Sequence, residues 1–332
     1  MIKYTNEELT NNIIKILKDK LKKDYDKGSF KRDAHAKCIG LLKAKFVVDD
    51  NIPKKYQVGI FEPKKEYPAL IRISNSNPKI LSDKFKDFRG FSIKLLGVEG
   101  EKCMNDEKYT QDFLLVNNEI MPIGTWKLFH DAIYYTNKSM PFIFVFKLLM
   151  QHKMGVVIRS LRNMKNDTSP LDIKYFSTTP YKFGDEVVKY CIVPKSKYKS
   201  KLPKKLTHRY LTKNMQVHLN NFEAVFDFMV QFRTDKVNMP INDASIKWDE
   251  NKSPFIKLGE IRIPKQKFET KQRFELSEVM SFSPGHSLLT HQPIGDINEG
   301  RMKIYKEMSK FRNKMNNKDI FEPNKEYFNK IK

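Results

Sequence analysis

Two neighbouring segments decide the fold class: ALIRIS at residues 69–74 and FSIKLL at residues 91–96. In each segment apolar and polar side chains alternate, which is typical of a β-strand with one buried face. Further candidate strands are LLKAKFVV (41–48), KYCIV (189–193), AVFDFMVQF (224–232) and LGEIRI (258–263). Clusters of turn-forming residues separate the strands, so we expect an antiparallel sheet.

Helical spacing of apolar residues marks other segments, at residues 7–25, 122–163 and 298–313. Thr5 and Glu8 have the spacing of a capping box that opens the first helix. Strands are thus split around a helical insertion, which predicts an α+β fold. Eight antiparallel strands suffice to close a sheet on itself and remove its edges. We therefore predict a closed antiparallel β-barrel of about eight strands with flanking helices.

Length and composition set further bounds. The chain has 332 residues, and 62 Lys and Arg against 39 Asp and Glu give a formal net charge of +23. No low-complexity linker interrupts it, so we predict one domain over residues 1–332, with an N-terminal helix within residues 1–28 and a C-terminal tail at residues 313–332. Three cysteines without CxxC spacing exclude a disulfide scaffold and a cysteine-based zinc site.

We recognise no nucleic-acid-binding motif in the sequence, despite its high positive charge. Lysines are scattered along the whole chain, which predicts a generally basic surface and no nucleic-acid partner. The longest apolar run, at residues 140–150, contains Lys147 and is well short of the ~20 residues that span a bilayer. We recognise no signal peptide and no transmembrane segment and expect a soluble, cytoplasmic protein; peripheral membrane contact and a homo-oligomer stay open.

Three short constellations carry chemically useful side chains: RDAHAK (32–37), RISN (72–75) followed by DFRGFSIKL (87–95), and RMKIY (301–305) with Arg312 beyond it. On a helix, Arg301, Tyr305 and Arg312 share one face. Together and in this order, these segments resemble the catalase superfamily. More specifically, they resemble its short heme-domain members, which include catalase-related peroxidases and the allene oxide synthase type. The resemblance extends from residue 31 to residue 312.

The resemblance implies a heme b cofactor inside the antiparallel barrel. Tyr305 matches the family's axial ligand to the heme iron, and Arg301 matches the arginine one helical turn before it. A phenol must lose its proton to bind ferric iron, and a nearby guanidinium favours the phenolate. Three arginines match those that pair with the heme propionates, where the guanidinium fork suits a carboxylate: Arg32, Arg72 and Arg312.

On the other side of the heme, the resemblance implies a catalytic histidine, His35. This base would take a proton from a bound peroxide and return it to the leaving oxygen. Ser74 matches the serine beside that histidine. The peroxide-orienting amide is Asn117, with Asn118 as the alternative, because both follow an apolar strand.

The aromatic residue that stacks on the heme is the last assignment that the resemblance implies. Phe129 is the first choice for this position, and the spacing also permits His130.

Three functional hypotheses follow from the resemblance. The first is a heme peroxidase or catalase-like enzyme that cleaves the O–O bond of hydrogen peroxide or a lipid hydroperoxide, with an organic reductant as a further partner. The second is rearrangement of fatty acid hydroperoxides, and the third is a heme-binding protein without turnover. The rearranging type carries a threonine before the distal histidine, whereas this chain has Ala34, so we rank the first hypothesis highest.

Overall fold

The computed structural model describes residues 4–332, which form nine strands and eight α-helices. The strands are β1 (Cys38–Val48), β2 (Glu66–Asn75), β3 (Arg89–Leu96), β4 (Thr110–Val116), β5 (Tyr175–Phe176), β6 (Tyr181–Phe183), β7 (Glu186–Pro194), β8 (Ala224–Phe232) and β9 (Ile256–Ile263). The helices are α1 (Asn6–Asp24), α2 (Trp126–Asn137), α3 (Pro141–Met150), α4 (Met154–Arg162), α5 (Tyr210–Asn221), α6 (Lys271–Val279), α7 (Asp296–Met315) and α8 (Lys325–Lys330).

Eight of the strands close into an antiparallel barrel. Neighbours pair in the order β5-β4-β3-β2-β1-β9-β8-β7, and β5 pairs with β7 to complete the ring. Strand β6 pairs with β7 outside this ring. The predicted α+β fold, a closed eight-stranded antiparallel barrel with flanking helices, is confirmed.

Alternation along the strands separates the barrel interior from its outer face. Ile71 and Ile73 of β2 belong to the interior core, as do alternate residues of the other long strands. Aromatic rings fill the centre, where Phe228 lies 5.0 Å from both Phe46 and Phe113 between ring centroids. An eight-stranded barrel has an interior that side chains just fill. The implied location of heme inside the barrel is therefore wrong for this chain.

Helices α1, α2 and α7 pack together outside the barrel around a second apolar core. Leu9, Ile13, Trp126 and Ile304 are buried there. Thr5 and Glu8 form the predicted capping box at the start of α1, with both reciprocal hydrogen bonds present. This bundle holds α7 against the barrel, and α7 carries the RMKIY segment.

The C-terminal tail predicted at residues 313–332 differs from the structure. Helix α7 continues to Met315, and the following segment contains α8. The Nζ of Lys43 on β1 donates to the carbonyl of Ile331 at 3.2 Å, so the tail packs on the barrel. The assignment of residues 1–332 to one domain stays a prediction, and residues 1–3 of its N-terminal helix lie outside the described residues.

Among residues 4–332, no single helix is long and apolar enough to cross a membrane. Helices α3 and α4, which are bent by 114° at the break between them, meet that criterion of length and composition only when they are taken together.

Candidate functional site

A cavity of about 340 Å³ lies against the outer face of the barrel. Arg72 of β2, Ser92 of β3 and Leu114 of β4 are directly opposite one another in the antiparallel register, and all three line it. Because side chains alternate, these residues point away from the interior core. Helix α7 contributes residues to the same cavity, and much of the wall is apolar, including Val116, Met121, Phe282 and Met308.

His35 lies in the cavity wall, in the segment between α1 and β1. Its Nδ1 is 2.9 Å from the Oγ of Ser74. Its backbone N–H donates to the carbonyl of Ser76 at 3.2 Å, and its own carbonyl accepts from the Nη2 of Arg72 at 3.0 Å. The backbone of His35 has φ +53, a left-handed conformation that non-glycine residues adopt infrequently. Three contacts therefore hold this imidazole and its backbone in one orientation.

Gly90 of β3 provides the space for that orientation. It is directly opposite Ser74 in the register of β2 and β3. A Cβ atom at Gly90 would lie 2.6 Å from the Nδ1 of His35 and 2.7 Å from the Oγ of Ser74. Our sequence reading did not single out Gly90, although a glycine inside a strand often marks such a close approach.

The electrostatic environment keeps the His35 imidazole neutral. Burial lowers its pKa most, and the positive charges of Arg72, Arg301 and Arg32 lower it further, to about 3. A neutral imidazole at neutral pH can accept a proton. The imidazole is therefore uncharged and fixed in orientation at the cavity wall.

Arg32 and Arg312 are anchored at the C-terminal end of α6. Arg32 donates through Nη2 to the carbonyls of Ser277 and Met280, at 2.7 Å each. Arg312 donates through Nε to the carbonyl of Glu278 at 3.2 Å. The last carbonyls of a helix have no intrahelical partner, so arginine side chains stabilise this end of α6.

Arg72 completes a cluster of three arginines at the cavity. Its Nη2 is 3.6 Å from the Oε1 of Glu278, and a second carboxylate, that of Asp33, lines the same cavity, so two carboxylates face three arginines. Burial alone would raise the pKa of Glu278, but the charges of Arg72 and Arg32 outweigh it and lower that pKa. Glu278 can neutralise at most one of the three arginines. The Nε atoms of Arg32 and Arg72 are buried without a hydrogen-bond partner among the described residues.

Arg301 and Tyr305 of α7 face the same cavity. The Arg301 guanidinium lies 5.4 Å from the centre of the Tyr305 ring. Its Nη1 donates to the Oγ1 of Thr179 at 3.1 Å and to the Oδ1 of Asn298 at 3.0 Å. Burial opposes the charge on Arg301, but Tyr305 and Tyr181 outweigh that effect and raise the pKa of Arg301. Helix α7 thus brings Arg301, Tyr305 and Arg312 to one cavity, as their spacing predicts.

The two asparagines after β4 point to different places. Asn118 lines the cavity, and its Nδ2 donates to the carbonyl of Ile120 at 2.8 Å. Asn117, the first choice from the sequence, is absent from the cavity wall, and its Oδ1 accepts from the backbone N–H of Arg89 at 2.6 Å. The structure therefore favours Asn118, the alternative that the sequence left open.

The two aromatic candidates on α2 are also separated by the structure. Phe129 lines the cavity and stacks on Trp126, with ring centroids 5.4 Å apart. His130 is buried elsewhere, with its Nδ1 3.2 Å from the Oδ1 of Asp131. Phe129 therefore meets the positional requirement for a side chain that packs on a bound group.

A second cluster of titratable residues lies near the cavity but does not line it. The ammonium of Lys94 hydrogen bonds to the carboxylates of Glu107 and Asp112, and the Nδ1 of His286 is 2.9 Å from the Oδ2 of Asp112. Glu107, Asp112 and His286 are close enough to ligate a metal ion. The Lys94 ammonium already supplies the cation for these carboxylates, so we interpret the cluster as a structural ion network.

Comparison with known proteins tests this architecture. No family model matches the sequence, and no curated protein matches it. Solved structures do match: a fungal catalase has a TM-score of 0.68 at 19% identity, over 85% of this chain and 59% of that one. A bacterial catalase has a TM-score of 0.67 at 15% identity, over 88% of this chain and 60% of that one. Catalase A from Saccharomyces cerevisiae has a TM-score of 0.69 at 19% identity, over 85% of this chain and 61% of that one.

The chain has the catalase fold. It spans about 60% of the length of the catalases that it matches. At identities of 15–19% the likeness establishes architecture alone, so chemistry has to be argued from the side chains of the cavity.

Proposed function

We propose that this protein is a heme-dependent oxidoreductase that cleaves the O–O bond of hydrogen peroxide or an organic hydroperoxide. One observation carries the proposal. Two groups line the same cavity: a neutral histidine, His35, which contacts Ser74, and the Arg301–Tyr305 pair of α7. A base on one element and an anionic oxygen ligand on another are the two protein groups that such chemistry needs.

The cavity has features that suit heme b. The three arginines of the cluster carry more positive charge than Glu278 and Asp33 together neutralise, and two of their buried Nε atoms lack partners, which suits a ligand with carboxylates. The apolar part of the cavity wall suits the flat, largely apolar macrocycle of heme. Arg32, Arg72 and Arg312 would bind the propionates, Tyr305 would ligate the iron, and Phe129 would pack on the ring. When bound, the heme would supply the redox centre for O–O bond cleavage.

His35 moves the proton in this proposal. Its Nδ1 is engaged by Ser74, so Nε2 is the nitrogen that accepts a proton from the peroxide oxygen and then donates it to the departing oxygen. Because its pKa is about 3, the imidazole is neutral before the substrate arrives. The amide of Asn118 would exchange its long hydrogen bond to the Oγ of Ser160, at 3.4 Å, for one to the substrate, and Asn117 takes this role in the alternative assignment.

Ala34 bears on the choice between peroxide reduction and hydroperoxide rearrangement. It lines the cavity beside His35 and has no hydroxyl group. A threonine at this position could hold the imidazole through a hydrogen bond, whereas alanine leaves Ser74 as the side chain that does so. This supports peroxidase or catalase-like turnover over rearrangement, with an organic reductant as co-substrate in the peroxidase case.

Purified protein reconstituted with heme tests the proposal. We expect a ferric spectrum of the tyrosinate-ligated type, peroxide consumption, and either oxygen release or a requirement for an organic reductant. Tyr305→Phe should lose that spectrum and much of the bound heme, because the phenyl ring has no ligand oxygen. Full heme occupancy with an unchanged spectrum in Tyr305→Phe would refute the ligand assignment. Allene oxide products from a fatty acid hydroperoxide would show rearrangement instead.

A further inference from the structure

Helices α3 and α4 present an apolar surface to solvent. Eight of the nineteen exposed large apolar side chains in residues 4–332 lie within residues 140–161. Phe142 and Phe146 are 67% and 61% exposed, and Met150 is 67% exposed. We define the α3–α4 surface by six side chains: Phe142, Phe146, Leu149, Met150, Ile158 and Leu161.

Helix α3 (PFIFVFKLLM) is apolar on nearly all sides, and one of its apolar faces is turned outward. On α3, Phe142, Phe146 and Leu149 have the i, i+4, i+7 spacing of one helix face. On α4, Ile158 and Leu161 continue the surface with i, i+3 spacing. Such a stripe normally packs against the core of a soluble domain, so an exposed one indicates an interaction site.

The charged residues of the segment that carries the α3–α4 surface are all basic. Residues 132–166 contain six Lys and Arg residues and no Asp or Glu. Two of the six, Lys147 and Lys153, pair with acids outside this segment, at 2.7 Å from Asp131 and 2.8 Å from Asp243. The remaining four are exposed and make no ion pair with any residue from 4 to 332: Lys138, Arg159, Arg162 and Lys165.

We propose that the α3–α4 surface docks on an anionic lipid bilayer. The apolar stripe would enter the boundary between headgroups and acyl chains, and the four free cations would contact lipid phosphates. A second copy of the chain fits less well, because symmetric pairing would bring the same basic residues together. A nucleic acid would match the charge, but it provides no apolar phase for Phe142 and Phe146.

Docking would also position the cavity. The Oγ of Ser160 on α4 accepts from the Nδ2 of Asn118 at 3.4 Å, and Asn163, directly after α4, donates to the Oδ1 of Asn118 at 3.4 Å. Asn118 lines the cavity, so α4 backs its wall. If the proposed function holds, a docked protein would have its active site beside membrane lipids. The docking itself does not depend on the proposed function.

Vesicle flotation tests the proposal with the full-length protein. We expect binding to vesicles of equimolar phosphatidylcholine and phosphatidylglycerol, weaker binding to phosphatidylcholine alone, and release by salt. Phe142→Ser with Phe146→Ser should weaken binding by about tenfold for each phenylalanine removed. Phe85→Ser is the matched control, because Phe85 is 60% exposed in a loop outside the surface, and it should bind as the wild type does.

A charge variant provides the second, independent arm. Arg159→Glu with Arg162→Glu should weaken binding to the anionic vesicles by about 25-fold or more, since each basic residue near such a surface contributes about fivefold. Both double variants alter exposed side chains, and their unfolding temperatures should equal that of the wild type. Wild-type-like flotation of either double variant, or equal loss in Phe85→Ser, would overturn the proposal. The proposal would also be overturned if the wild type did not bind vesicles but formed a dimer that Phe142→Ser with Phe146→Ser dissociates. Binding of the wild type to RNA but not to vesicles would overturn it as well.

Discussion

Replacing Gly90 by alanine should disable the proposed base without removing it. The added methyl carbon would lie 2.6 Å from the Nδ1 of His35, and 2.7 Å from both its Cε1 and the Oγ of Ser74. Ordinary van der Waals contact begins at 3.4 Å, so the imidazole must move by about 0.8 Å. Displacements of about 1 Å in a catalytic group cost on the order of 10²-fold in rate. Because His35 lies at the cavity wall and Gly90 is not in a left-handed conformation, we expect the barrel to remain folded.

Stopped-flow absorbance of heme-reconstituted protein with hydrogen peroxide measures this effect. The bimolecular rate constant for Gly90→Ala should fall by about 10²-fold while the heme content equals that of the wild type. Gly155→Ala is the matched control, because a Cβ at Gly155 meets nothing within 4 Å, and its rate should not change. A Gly90→Ala rate within threefold of the wild type, at full heme loading, would refute the assignment of His35 as the base.

The remaining predictions concern the amide, the ion network and the helix packing. Asn118→Ala should slow the peroxide reaction by about 10-fold or more in stopped flow. Asn117→Ala should mainly lower the unfolding temperature, because the side chain of Asn117 accepts a hydrogen bond from the backbone of β3. The reverse pattern would identify Asn117 as the amide that orients the substrate. The pKa of His286 is raised from 6.5 to about 9 because hydrogen bonds to Asp106 and Asp112 outweigh burial and Lys94. Its stabilisation is thus fully present below pH 6.5 and is lost as the pH rises towards 9. Free energies of unfolding from urea titrations at these two pH values should differ by up to about 3 kcal/mol, and His286→Gln should abolish the difference. Gly300→Ala would place a Cβ 2.2 Å from the Trp126 ring, where α7 packs against α2. We expect the free energy of unfolding in urea to fall by about 1–3 kcal/mol. An unchanged value would contradict this packing.

Side-chain alternation made most of the barrel predictable from the sequence. Six of the nine strands, β1, β2, β3, β7, β8 and β9, were anticipated to within a few residues, because a strand with one buried face repeats every two residues. The same rule bears on the choice between Asn117 and Asn118. Phe113 and Leu115 belong to the interior core, and Asn117 shares their parity, whereas Asn118 has the parity of Leu114 and Val116 on the outer face and lines the cavity.

Other features depend on contacts between distant segments and could not be predicted in this way. Helices α5, α6 and α8 have weak or short apolar patterns and were missed. Without α6, the place of Glu278 among the arginines had no basis in the sequence. The position of the cavity on the outer face also followed only from the structure, because the resemblance implied a cofactor inside the barrel, where side chains fill the space.

The hydrogen bonds from Arg32 and Arg312 to the end of α6 have a consequence for how the protein matures. These bonds exist within the polypeptide itself, so the charged end of the cavity is assembled by folding and not by its ligand. A receptor that is preorganised in this way loses little conformational entropy when it is filled. If the cavity binds the proposed heme, chains synthesised while heme is scarce would already hold these arginines in place and could bind heme later without unfolding.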